Sequence, residues 1–108
     1  DLRGDEVTHR EFYRAALSAA GALQVPDITP NGQGRLTTRE VILNTARELE
    51  DTGISAYNGA GRFIRAPQNL LVAGKIVSVE ARHAAAIRDM LQPNTDFFAN
   101  VTNLAPLG

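Results

Sequence analysis

Apolar residues recur every three or four positions along three stretches of this 108-residue chain, the spacing that places side chains on one face of an α-helix. The first stretch runs from about Asp5 to Ala20, and Gly21 is placed to end it. The second begins with Thr37 or Thr38 as an N-cap and continues to about Gly61. Strand signals are few, so the pattern predicts an all-α fold.

A third helix is predicted from Pro67, a residue that suits the first position of a helix, to about Leu91. Pro93 ends it, and residues 94–108 lack a firm period, which predicts an irregular C-terminal segment with room for one short helical turn. Between the first two helices, residues 22–37 are rich in proline, glycine, asparagine and aspartate, a composition typical of a loop. A loop of about 16 residues usually has a structural reason.

Both histidines of the chain follow a glutamate by three positions, in Glu6-Val7-Thr8-His9 and in Glu80-Ala81-Arg82-His83. Residues i and i+3 lie on the same face of a helix, so each motif presents a carboxylate and an imidazole side by side. Two such motifs that face the interior of a helical bundle can hold two metal ions. The candidate metal ligands are therefore Glu6, His9, Glu80 and His83.

The connection between the second and third helices adds Glu50 to this set. A turn centred near Arg65 places residues whose numbers sum to about 130 at the same height of an antiparallel hairpin, and Glu50 and Glu80 meet this condition. Each lies about 22 Å from the turn, on the inward face of its helix. The first helix matches the second in height if these two run parallel, with residues 22–37 as a long crossover loop.

Composition narrows the classes of function. The chain is long enough for one small domain, taken as residues 1–108, and its formal net charge of −1 gives no bias toward nucleic acid. It contains no cysteine, which excludes thiolate ligands, so any metal must bind oxygen and nitrogen atoms. No apolar run approaches the ~18 residues that a membrane span needs. Hydrolase and nucleotide-binding motifs are absent as well.

Burying Glu6, Glu50 and Glu80 would be costly without compensating positive charge. Their three negative charges fall one short of neutralising two divalent metal ions, which indicates a fourth carboxylate. Two-metal carboxylate bundles take one Glu from each of two helices and Glu-x-x-His from each of the other two. Since three of four core helices are predicted here, the fourth is expected before Asp1. An open side predicts a homo-oligomer, or pairing with the missing N-terminal helix fragment.

Three stretches resemble the ferritin-like domain of bacterial proteins and of plant and fungal desiccation-related proteins. They are Asp5-Glu6-Val7-Thr8-His9, Glu50-Asp51-Thr52-Gly53-Ile54-Ser55-Ala56-Tyr57 and Val79-Glu80-Ala81-Arg82-His83-Ala84-Ala85. The resemblance implies a ferritin-like up-down four-helix bundle, a dinuclear iron or manganese centre bridged by carboxylates, and frequent export from the cytoplasm. By position it implies five metal ligands, namely Glu6, His9, Glu50, Glu80 and His83.

Two functions are compatible with these residues. The first is a dinuclear metal protein that oxidises metal, removes peroxide or stores metal, and would be an oxidoreductase in the first two cases. Iron or manganese is favoured, because mixed carboxylate and imidazole ligands with open positions suit oxygen chemistry. The second is a non-catalytic helical scaffold, or a desiccation or stress-protective protein, with at most a structural metal. Zinc is an alternative for an incomplete site, since it accepts four ligands of these types.

Neighbouring residues have separate expectations. Asp51 is interpreted as a surface residue or as a carboxylate that supports a metal ligand. Tyr13 and Tyr57 are expected to be core aromatics whose hydroxyl groups form hydrogen bonds. Arg88 is expected on an exposed helix face, as are Arg47, Arg62, Arg65 and Arg82.

Overall fold

The computed structural model describes residues 1–29, 31–32 and 34–100 of the chain. They form the α-helices α1 (Leu2–Ala19), α2 (Arg39–Gly61) and α3 (Pro67–Leu91), followed by a short 3₁₀-helix (Asp96–Ala99). No strand is present among the described residues, so the predicted all-α fold is confirmed. None of the described helices combines the length and the apolar character needed to cross a lipid bilayer.

The chain divides after residue 33 into two compact units, and α1 belongs to the first. Asp1 caps α1, because its side chain accepts a hydrogen bond from the Gly4 N–H at 3.4 Å. Its carbonyl also accepts from the Asp5 N–H at 3.1 Å. The helix therefore begins three residues before the predicted start at Asp5. Glu6 consequently lies in the second turn of α1 rather than at its first residues.

Gly21 ends α1 through a left-handed backbone conformation, with a φ of 63°. The Gly21 N–H donates to the Ser18 carbonyl at 3.1 Å, and the Ala22 N–H donates to the Leu17 carbonyl at 2.9 Å. This pair of bonds is a Schellman motif, which satisfies carbonyls that the helix end leaves open. The predicted role of Gly21 is confirmed. The described residues between 22 and 37 contain turns but neither helix nor strand.

In the second unit, α2 and α3 form an antiparallel hairpin joined by residues 62–66. Thr38 caps α2, and Pro67 occupies the start of α3 as predicted. Both terminal nitrogens of the Arg39 guanidinium donate to the Met90 carbonyl, at 3.4 and 3.3 Å. Since Arg39 begins α2 and Met90 lies near the end of α3, this contact joins the N-terminal end of α2 to the C-terminal end of α3.

Among the described residues, the interior of the hairpin contains more polar side chains than apolar ones. Among the described residues, the buried apolar side chains are Ile54, Ile76, Ala84 and Ile87. The buried polar or charged residues are Asp51, Ser55, Glu80, His83 and Arg88. Because a buried polar group is costly unless it is paired, the polar contacts have a large influence on how these two helices meet.

Burial confirms part of the inward face predicted for α3 and differs from the one predicted for α2. Of the α3 positions whose spacing predicts burial, Ile76, Glu80, His83 and Ile87 are buried, whereas Val72 and Val79 are half-buried and Met90 is exposed. The positions of α2 whose spacing predicts burial are less completely buried, namely Leu43, Ala46, Glu50, Gly53 and Tyr57, although the Glu50 side chain is only 13% exposed. Those that are buried are Asp51, Ile54, Ser55 and Gly59. The buried face of α2 is thus displaced by about one residue, which is about 100° around a helix.

Replacing Thr38 with alanine is expected to lower the free energy of unfolding by about 1 kcal/mol. The reason is that the Val41 N–H would lose the side-chain oxygen that accepts from it at 3.2 Å. Urea denaturation followed by circular dichroism measures the change. Thr38→Ser, which keeps the hydroxyl, and Thr37→Ala, outside the helix, are the controls. Equal losses in Thr38→Ala and Thr37→Ala would contradict the capping role.

Candidate metal centre

Two carboxylates and one imidazole meet between α2 and α3. The Nδ1 atom of His83 lies 3.3 Å from Oε2 of Glu80 and 3.4 Å from Oε1 of Glu50. One ligand atom from each of these three residues lies within 4.8 Å of the others. Glu80 and His83 are one turn apart on α3, and Glu50 comes from α2, so the pairing of the helices assembles this group. We call Glu50, Glu80 and His83 the hairpin cluster.

The hairpin cluster is largely shielded from solvent. The side chains of Glu50, Glu80 and His83 are 13%, 8% and 9% exposed. Low exposure weakens solvation by water, so negative charge at this position is costly unless positive charge offsets it. A cation bound by both carboxylates would supply that positive charge at the shortest distance.

The distances around Nδ1 of His83 are those expected between ligands of one metal ion. Ligand atoms that each lie about 2.1 Å from a metal are about 3.0 Å apart in an octahedron and about 3.4 Å apart in a tetrahedron. The separations of 3.3 and 3.4 Å are close to the tetrahedral value. The residues present therefore fit a divalent metal ion.

The other Glu-x-x-His motif, Glu6 with His9, lies on α1 in the N-terminal unit. Nδ1 of His9 is 3.9 Å from Oε2 of Glu6, so the two side chains are neighbours on one helix face, as the spacing predicts. The His9 side chain is 17% exposed, whereas that of Glu6 is 50% exposed. Tyr13, one turn further along α1, packs edge-on against Phe12 with 5.6 Å between ring centroids. It is 37% exposed, so its predicted place in the core was wrong.

A buried ion pair also joins α2 to α3, and its two residues are close in sequence to members of the hairpin cluster. Nη2 of Arg88 donates to Oδ1 and Oδ2 of Asp51, at 2.8 and 2.7 Å. Asp51 directly follows Glu50, and Arg88 lies five residues after His83. The side chains of Arg88 and Asp51 are 4% and 11% exposed. The predicted exposure of Arg88 was therefore wrong, because Asp51 supplies the opposite charge that permits a guanidinium to be buried.

Helical periodicity contains a signal for the burial of Arg88. Arg88 lies eight residues after Glu80 and four after Ala84, positions that share the inward stripe of an amphipathic helix. That spacing favours a buried Arg88. The identity of its partner does not follow from periodicity, because Asp51 belongs to a different helix.

The fold and the hairpin cluster together fit a ferritin-like metal protein, a helical protein whose paired helices present carboxylate and imidazole ligands. The family described as "Ferritin-like domain" matches residues 1–93 of the chain. This match covers most of the sequence, so the chain belongs to the ferritin-like domain family, and the resemblance found in its motifs is confirmed. Comparison with curated proteins found no match, and comparison with solved structures found none.

Replacing Glu50 with glutamine keeps the size of the side chain and removes one carboxylate from the hairpin cluster. We expect it to weaken Mn²⁺ binding by at least about tenfold, since loss of groups that only orient ligands already costs that much. Isothermal titration calorimetry measures the affinity. Glu48→Gln is the matched control, because Glu48 is an exposed glutamate of the same helix. Equal weakening in both variants would assign the effect to overall charge rather than to ligation.

Proposed function

We propose that this protein holds iron or manganese in a dinuclear centre whose ligands are Glu6, His9, Glu50, Glu80 and His83. The observation that carries the proposal is the hairpin cluster, where a buried imidazole nitrogen lies 3.3 and 3.4 Å from two carboxylate oxygens. Membership of the ferritin-like domain family supports it, because carboxylate-bound di-iron and di-manganese centres occur in that type of bundle.

The repeated motif suggests how the ligands are divided. Glu80 with His83 offers one ion a carboxylate and an imidazole, and Glu6 with His9 offers the same pair of groups to a second ion. Glu50 adds a carboxylate from the helix that faces α3. Two carboxylates close to one imidazole favour a divalent or trivalent cation over a monovalent one, since attraction increases with the charge of the ion.

Bound iron or manganese would supply redox chemistry with oxygen or peroxide. The residues of this chain contribute the charge and the shielding from water around the metal. Glu50 and Glu80 provide negative charge that retains the cation, and the low exposure of the cluster restricts access of bulk water. We propose oxidation of metal, removal of peroxide or storage of metal as the activity, with the metal as substrate in the first and third cases.

A second candidate is a non-catalytic, stress-protective scaffold with one structural metal. Three donors from the α2–α3 hairpin alone favour it, because three protein ligands and a water molecule complete a four-coordinate zinc site. In this alternative the Glu6–His9 pair has no part in metal binding, and the ion contributes to stability instead of turnover.

Metal content separates the two candidates. The protein is purified without a chelating tag or added metal, and its metals are counted by elemental analysis together with those of the His9→Ala and His83→Ala variants. A dinuclear centre predicts about two iron or manganese ions per chain, with loss in each variant. Oxygen and peroxide consumption assays then identify the activity.

A single zinc ion that is lost in His83→Ala and retained in His9→Ala would support the scaffold and contradict the dinuclear centre. Urea denaturation with and without the ion provides the second readout, because a structural metal raises the unfolding midpoint.

A further inference from the structure

The buried ion pair between Asp51 and Arg88 crosses the same helix interface as the hairpin cluster. Its two hydrogen bonds, 2.7 and 2.8 Å long, end on both carboxylate oxygens of Asp51. Glu50 precedes Asp51 on α2, and His83 precedes Arg88 on α3. Each residue of the ion pair thus lies on the same helix as a member of the hairpin cluster, within five residues of it.

Stability alone is a weak explanation for this pair. The attraction between two buried charges roughly offsets the cost of removing them from water, and apolar replacements of similar volume are often neutral or stabilising. The pair differs from an apolar contact in being directional, since its hydrogen bonds form only within a narrow range of distance and angle. It is therefore suited to selecting one arrangement of the two helices among several of similar energy.

The apolar contacts of the hairpin do not by themselves select one arrangement of α2 against α3. Its buried apolar side chains are three isoleucines and one alanine among the described residues. Apolar burial is roughly proportional to area and is not directional. A shift of α2 by one residue changes height by about 1.5 Å and rotation by about 100°. That shift would move the Glu50 carboxylate away from its position 3.4 Å from His83.

A residue beyond the end of α3 also contacts Arg88. Its guanidinium carbon lies 5.9 Å from the centroid of the Phe97 ring, a cation–π contact. Phe97 belongs to the short 3₁₀-helix, whose N-cap Thr95 accepts a hydrogen bond from the Phe97 N–H at 3.2 Å. The Thr95 hydroxyl donates to the Gln92 carbonyl at 2.8 Å. The segment after α3 thus contacts the same arginine that binds Asp51.

We propose that Asp51 and Arg88 are positioning residues of the metal centre. Their ion pair sets the rotation and the height of α2 against α3, and thereby holds the Glu50 carboxylate at the distance from Glu80 and His83 that one ion requires. This inference rests on the proposed function, because it assigns the pair a role in metal binding. Neither residue is a ligand in it, and both act through Glu50.

The test uses Co²⁺ as a spectroscopic probe, because its visible absorption depends on the number and arrangement of its ligands. The apolar double variant Asp51→Leu/Arg88→Met is expected to keep the urea midpoint of the metal-free protein near that of the parent. It is expected to weaken Co²⁺ binding by at least about tenfold and to shift the absorption bands. Asp27→Asn, which removes one partner of an exposed ion pair with Arg14, should change neither measurement.

Combination with Glu50→Gln separates positioning from general stabilisation. If the ion pair acts through Glu50, the apolar double variant causes no further loss of Co²⁺ affinity once Glu50 is glutamine. Fully additive losses would overturn the proposal. Arg88→Lys, which keeps the charge but not the planar guanidinium, is expected to lose less affinity than the apolar pair. If the apolar double variant does not fold, Arg88→Lys is combined with Glu50→Gln in its place, and the Co²⁺ affinities are compared in the same way.

The outcomes distinguish this inference from the function on which it rests. A parent protein that binds no Co²⁺, Mn²⁺ or Fe²⁺ overturns the metal centre and the inference with it. A parent that binds Co²⁺, together with a folded apolar variant of equal affinity and identical spectrum, overturns the positioning role and leaves the metal centre standing.

Discussion

The ion pair between Arg88 and Asp51 is the constraint on which the arrangement of α2 and α3 depends. A guanidinium that is almost fully buried must find its counter-charge within the protein, and here it does so on the opposite helix. With few apolar side chains in the same interior, this directional contact limits how the helices can rotate or slide. The distances within the hairpin cluster are a consequence of that limit, since Glu50 reaches His83 across the same interface.

The local features of the sequence were sufficient to predict the helices. Helical periodicity located all three, and the positions of Gly21 and Pro67 correctly marked one end and one start. The start of α1 at Leu2 was missed. Asp1 is its N-cap, and the hydrogen bond from the Gly4 N–H that defines this cap is visible only in the structure. Such errors are small, because helix formation depends mainly on residues close in sequence.

The site was less accessible from the sequence than the fold. The two Glu-x-x-His motifs could be found because their geometry lies within a single helix, and hairpin register added Glu50. The buried face of α2 and the pairing of Arg88 with Asp51 could not be found in the same way, since both depend on contacts between helices, and the two residues of the pair are 37 positions apart. Family membership does not replace this information, because a ferritin-like fold does not determine the chemistry of its site.

The short connection between α2 and α3 also bears on the order of events during folding. Glu50, Glu80 and His83 belong to helices joined by residues 62–66 alone, so they can come together as soon as the hairpin closes. Closing a short loop has a small entropic cost and takes place early for contacts of low sequence separation. A metal ion captured at that stage would contribute its binding free energy to the folding of the hairpin. Metal supply during synthesis would then influence how much of the chain reaches its folded state.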